Sequence, residues 1–129
     1  MPADDAGAPD VVSMRPFVPA KDFERSLSFY TDLGFTAHKL DAGLAGISLG
    51  PFGFLLQSFY VEEYAGNFMM QLLVNDVDAW WKRIEAVDLV TRYGVRAPTA
   101  PAVQPWGLKV SFVVDPSGVL WHIAERKQT

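Results

Sequence analysis

Val18-Pro19-Ala20-Lys21-Asp22-Phe23-Glu24-Arg25-Ser26-Leu27-Ser28-Phe29-Tyr30 runs from the end of an apolar segment straight into a capped helix. The short carboxylate of Asp22 can accept from the unpaired amides of a first helical turn. Phe23, Leu27, Tyr30 and Leu33 then recur at helical spacing on one face, and Gly34 supplies the stop. The segment before it, Val11 to Val18, is apolar and reads as a strand. Pro16 and Pro19 restrict that strand to an edge or an irregular pairing, because neither has an amide hydrogen to donate. The same order returns at Leu72-Leu73-Val74-Asn75-Asp76-Val77, with Asp22 and Asp76 standing 54 positions apart. In the second helix Val77, Trp80, Trp81, Ile84 and Val87 share one arc while Lys82, Arg83 and Glu85 point away, so both tryptophans read as core.

Working outward from the two helices, three short strands are expected in the first half: Thr36 to Leu40, Gly46 to Leu49 and Phe54 to Ser58. Asp41-Ala42-Gly43 and Gly50-Pro51-Phe52-Gly53 turn the chain between them. The second half opens with the apolar run Phe68 to Val74 ahead of its helix. Leu89 to Arg92 follow, then a proline-containing stretch through Pro105. Two strong strands end the chain, Lys109 to Val114 and Val119 to Ala124, joined by the turn Asp115-Pro116-Ser117-Gly118. Pro51-Phe52-Gly53 and Pro116-Ser117-Gly118 align 65 positions apart, so the second copy carries about eleven extra residues, placed by this reading in Pro98 to Pro105. The expected architecture is α+β, with two β-α-β-β-β modules over residues 11–60 and 66–126 making one domain. Residues 1–10, small, acidic and proline-containing, read as a mobile tail.

Composition narrows the function. With 129 residues, half of them hydrophobic, the chain suits one domain with a real core. A net charge of −4 and no Lys/Arg run beyond a pair argue against a nucleic-acid partner. No uncharged apolar run reaches membrane-spanning length, and the N-terminus lacks the basic and apolar regions of a signal peptide, so a cytoplasmic location is expected, with no membrane partner. Without cysteine there is no disulfide and no thiolate ligand, and any metal would need His, carboxylate or amide groups.

Lys21-Asp22-Phe23-Glu24-Arg25-Ser26-Leu27-Ser28-Phe29-Tyr30 followed by Leu33-Gly34-Phe35, and Trp106-Gly107 ahead of Asp115-Pro116-Ser117-Gly118, resemble the glyoxalase/bleomycin-resistance/dioxygenase superfamily over residues 11–126. The resemblance implies that each module curls its mixed sheet into a cup and that paired modules form a cleft. It also implies up to four metal-ligand points in the enzymes of the family, which fall here on Arg15, Gln57, Met69 and His122. Arg offers no lone pair and Met is a soft thioether, so only His122 is a good ligand and Gln57 a weak one. The reading therefore favours the metal-free bleomycin-resistance branch, with no cofactor and no catalytic residue. By resemblance it would be a homodimer holding a small, planar, cationic organic ligand. The alternative is a metal-dependent lyase or dioxygenase using His122 with nonstandard partners.

Strand parity lists the cup, because alternate residues share a face with each ligand-equivalent position. That gives Arg15, Phe17, Leu55, Gln57, Met69, Gln71, Leu120 and His122, while Leu56, Phe68, Met70, Leu72, Trp121 and Ile123 are expected as core. Trp106 is the expected stacking surface for a planar ligand, or else a side chain packed under a loop. Phe59 and Tyr60, leading into the polar loop Val61 to Gly66, are read as a cleft wall, with Glu62 and Glu63 either facing a cationic ligand or solvated. His122 contacts ligand or is bonded to a neighbouring amide such as Gln57. His38 reads as exposed. Arg15 in an apolar cup calls for an anion.

Overall fold

The computed structural model describes residues 7–127. Of the tail expected over residues 1–10, residues 1–6 lie outside the described residues, and residues 7–10 are exposed and form neither helix nor strand.

The first module runs β1 (Phe17–Pro19), α1 (Phe23–Leu33), β2 (Thr36–Asp41), β3 (Leu44–Leu49) and β4 (Phe52–Gln57). A short helix, α2 (Glu62–Asn67), leads to the second: β5 (Met69–Val74), α3 (Val77–Val87), α4 (Leu89–Tyr93), β6 (Ala102–Val103), β7 (Lys109–Val114) and β8 (Leu120–Glu125). Each module makes a four-stranded mixed sheet, β1-β4-β3-β2 in one and β5-β8-β7-β6 in the other, with β1 and β5 parallel to their neighbours.

Both expected helix caps form. The Asp22 carboxylate accepts from the Arg25 amide and that of Asp76 from the Ala79 amide, each at 3.1 Å. Gly34 ends α1 in the left-handed region at φ 110°, where a glycine has no Cβ to clash.

Four local expectations need correction. Val11 to Pro16 stay outside the sheet, leaving a three-residue β1 at its edge; Pro16 contributes only a carbonyl, which accepts from Leu55 N at 2.9 Å. The loop expected at Val61 to Gly66 is largely helical, because Glu62 and Glu63 sit in its first turn, where carboxylates favour the exposed amides, and Ala65 is buried beneath it. Leu89 to Tyr93 are also helical. Asp88 adopts the left-handed conformation that ends α3, and its side chain then caps α4. The additional residues of the second module thus begin at Asp88, run through α4 and reach β6, so they overlap the expected stretch Pro98 to Pro105 only at its start, and that stretch contains β6 itself.

The two modules share one core. Leu56, Trp121 and Ile123 are buried as parity requires, Phe68, Met70 and Leu72 are partly buried, and Trp80 and Trp81 pack against the same cluster. At its centre Tyr30, Phe35, Phe54 and Trp121 meet ring to ring, with centroids 5.1 to 5.7 Å apart from Tyr30 to the other three. Phe54 belongs to the first sheet and Trp121 to the second, so the helix-side faces of both sheets meet across this aromatic knot. Fully burying each such side chain is worth about 1.5–3 kcal/mol. The opposite faces of the sheets consequently look away from the core.

Candidate functional sheet faces

The outer face of the second sheet is built by two rows across three strands. Met69 of β5 stands beside Leu120 of β8, which pairs with Val114 of β7. One step along, Gln71 stands beside His122, which pairs with Phe112. Phe112 meets the His122 ring edge-on at 4.8 Å, and Trp106 lies 6.2 Å from it at an interplanar angle of 31°. Trp106 occupies a turn between β6 and β7 that closes through Gly107, whose φ of 100° suits only glycine and whose amide donates to Gln104 O at 2.8 Å. This turn carries the indole over the strand face. Trp106 is 54% exposed and Met69 61% exposed, so an apolar, aromatic surface faces outward.

The outer face of the first sheet carries Phe17, Leu55 and Gln57. Phe17 pairs beside Leu55, Leu55 opposite Gly46, and Gly46 opposite His38. Beyond the end of β1 the chain lays Arg15 over Gly46: a Cβ on that glycine would lie 3.6 Å from Arg15 Nη1. An open depression of about 270 Å³ results, lined by Ser13, Arg15, His38, Ser48 and the apolar Leu40 and Phe52. A separate crevice of about 200 Å³ lies between the sheets, walled by core residues such as Phe54, Met70 and Trp121. Polar groups converge on the outer faces, as ligand sites require.

The expected site residues therefore divide into two sets. Arg15, Phe17 and Gln57 lie on the first sheet, and Met69, Gln71, Trp106 and His122 on the second. Phe59 is exposed after β4, and Tyr60 beside it is partly buried against the core. No hydrogen bond joins His122 to Gln57 among the described residues of the chain; they belong to different sheets, and the register neighbour of His122 is Gln71. Offsets of 54 and 65 would carry the Met69–Leu120 pairing onto Arg15 and Leu55, but Phe17 stands beside Leu55, so the first and last strands of the two modules pair in registers that differ by two residues. A slip of two residues keeps every side chain on its face, which is why parity alone did not reveal it.

His38 and Phe112 were missing from the sequence-based site. Phe112 was within reach, because the hairpin through Asp115 to Gly118 sets it opposite His122; His38 required knowing that β2 pairs with β3 at Gly46.

The turn Asp115-Pro116-Ser117-Gly118 is structural. The Tyr30 hydroxyl donates to Asp115 Oδ2 at 2.5 Å and accepts from Trp121 Nε1 at 3.0 Å. Asp115 Oδ1 accepts the amides of Ser117 and Val119, and Ser117 Oγ accepts the Lys21 amide at 2.8 Å. The turn thus ties β8 to the start of α1. Burial raises the Asp115 carboxyl above its ordinary value despite these donors, and burial followed by the nearby carboxylate raises the Tyr30 phenol well above its own.

A model of the Glyoxalase/Bleomycin resistance protein/Dioxygenase superfamily matches residues 13–123, which take in all of the first sheet and all but the last two residues of the second. The chain belongs to this superfamily. It is 27% identical over 117 residues to a bleomycin resistance protein of Klebsiella pneumoniae, covering 87% of this chain and 90% of that one. Its fold matches a bleomycin-binding protein crystallised with bleomycin at a TM-score of 0.76 and 25% identity, covering 89% of this chain and 98% of the other. It also matches the bleomycin-binding protein of bleomycin-producing Streptomyces verticillus in complex with copper(II)-bleomycin. That TM-score is 0.75 at 24% identity, with 92% and 98% coverage. The metal-ligand points of the superfamily's enzymes do not carry a fitting donor set here. Arg15 has no lone pair, Met69 offers only a soft thioether, and no group of three or more His, Asp or Glu converges among the described residues. No helix is long and apolar enough to cross a membrane among those residues.

Proposed function

We propose that this chain is a cytoplasmic homodimer that binds a planar organic molecule of the bleomycin type without making or breaking a bond in it. The residues that form one binding unit are 11–126. Each cleft is formed between the outer face of the first sheet of one copy and the outer face of the second sheet of the other. Arg15, Phe17 and Gln57 line one wall; Met69, Gln71, Trp106 and His122 line the opposite wall, with Phe59 at the rim.

The observation that carries this reading is the open aromatic surface of Trp106, His122 and Phe112 on a sheet whose other face is committed to the core. A flat ligand stacks on such a surface at little cost in ordering, since the rings already hold one another. The bleomycin resistance and bleomycin-binding relatives support the ligand class. Phe17, at 47% exposed, adds to the outward apolar area, which supports covering by a second copy. Tight binding is sufficient for resistance, because a sequestered drug is removed by mass action alone.

The test is thermal unfolding with and without a bleomycin-type antibiotic, with sedimentation velocity to read the oligomer. At a free ligand concentration of about 100 Kd the folded state gains about 2.7 kcal/mol, which raises Tm by several degrees. A monomer with no response to the antibiotic sinks the reading.

A further inference from the structure

We propose that the depression on the first sheet is an anion-receiving subsite that takes a carboxylate or phosphate beside Arg15. This rests on the reading of the outer sheet faces as a binding cleft and names a second kind of group, beside a flat ring, that the cleft accepts. Arg15, His38, Ser13 and Ser48 bring a guanidinium, an imidazole and two hydroxyls to one hollow, and no carboxylate lines it. That is notable in a chain with 15 Asp and Glu against 11 Lys and Arg. Lys39, Arg92 and Lys109 each pair with a carboxylate, and none of the ion pairs among the described residues involves Arg15.

The floor of the hollow is bare. At Gly46 a Cβ would stand 3.6 Å from Arg15 Nη1, an ordinary contact, and at Gly53 a Cβ would collide with the Ile47 carbonyl at 2.5 Å, so neither position carries a side chain beneath Arg15. The planar fork of Arg15 matches two oxygens of a carboxylate or phosphate, and the serine hydroxyls can donate to the same group. Phe52 and Leu40 at the rim take hydrocarbon next to the anion.

The experiment is equilibrium dialysis of the full chain against three probes sharing one flat ring system: 2-naphthoate, 2-naphthyl phosphate and 2-naphthylmethylammonium. The anions are expected to bind about tenfold or more tighter than the ammonium. The stronger of the two identifies whether carboxylate or phosphate is the natural group. Arg15→Gln is expected to abolish the preference and Arg15→Lys to retain part of it; Arg15 is exposed and outside every strand, and a circular dichroism spectrum checks that each variant is folded. Equal binding of all three probes, or a preference that survives Arg15→Gln, overturns the inference while an antibiotic response leaves the proposed function standing. If neither the probes nor the antibiotic bind, the proposed function falls and this inference with it.

Discussion

The hydroxyl of Tyr30 on α1 and the carboxylate of Asp115 in the β7–β8 turn share a 2.5 Å hydrogen bond inside the core, joining the first module's helix to the second module's hairpin. The same hydroxyl accepts from Trp121, so one buried oxygen satisfies partners on two strands' worth of chain. Tyr30→Phe removes it without changing the ring packing. Two polar groups then lose their partner in a dry site, at a cost of about 1–3 kcal/mol. Chemical denaturation should show this loss, and a change within about 0.5 kcal/mol, the usual range for a surface substitution, would mean the bond does not hold the modules together.

Asp115 also sets a pH dependence. Its carboxyl is raised above the ordinary 3.8 chiefly by burial, so between that value and its folded value the native state binds the proton more readily than the unfolded chain. Its contribution to stability is therefore full below the ordinary value and declines as pH rises through the raised one. The stability of the wild type relative to Asp115→Asn should fall as pH is raised above the ordinary carboxyl value. A rise over this range would mean the amide donors, not burial, dominate.

Two glycines should respond to alanine with opposite signs. At Gly53 a Cβ would meet the Ile47 carbonyl oxygen at 2.5 Å, and backbone cannot step aside cheaply; the substitution should cost about 1–3 kcal/mol. At Gly66, inside α2, nothing lies within 4 Å, so Gly66→Ala should gain up to about 1 kcal/mol from helix propensity. Thermal melts of both variants decide it.

Trp106→Ala should leave the fold nearly unchanged, within about 0.5 kcal/mol, because the side chain is half exposed and stands in a turn. Binding of a planar ligand should fall by about 1–3 kcal/mol, as loss of a stacking surface does. Phe112→Ala, which removes the edge-on support of His122, should weaken binding less than Trp106→Ala. Titrations of both variants with the antibiotic provide the comparison, and retention of full affinity in Trp106→Ala would move the ligand off this face.

Much of the fold was legible because its signals are local. The carboxylates of Asp22 and Asp76 cap helices through amides three residues away, and Gly34 ends α1, with no reference to the rest of the chain. The paired turns ahead of Phe54 and Val119 exposed the duplication. Where local signals allowed two outcomes, the reading missed: Asp88 could end a helix or start one, and it does both.

The site was legible only by face. Two-residue alternation assigned Phe17, Gln57, Met69, Gln71 and His122 to outer surfaces and Trp121 to the core, as the side-chain direction of a strand dictates. The sequence by itself thus determined the duplicated α+β plan, the caps and the face of each strand residue. Tertiary structure alone decided that Phe17 rather than Arg15 stands beside Leu55, since sliding a strand by two residues costs its local pattern nothing. It also decided that both inner faces meet through Phe54 and Trp121, because which modules share a core depends on packing between distant segments.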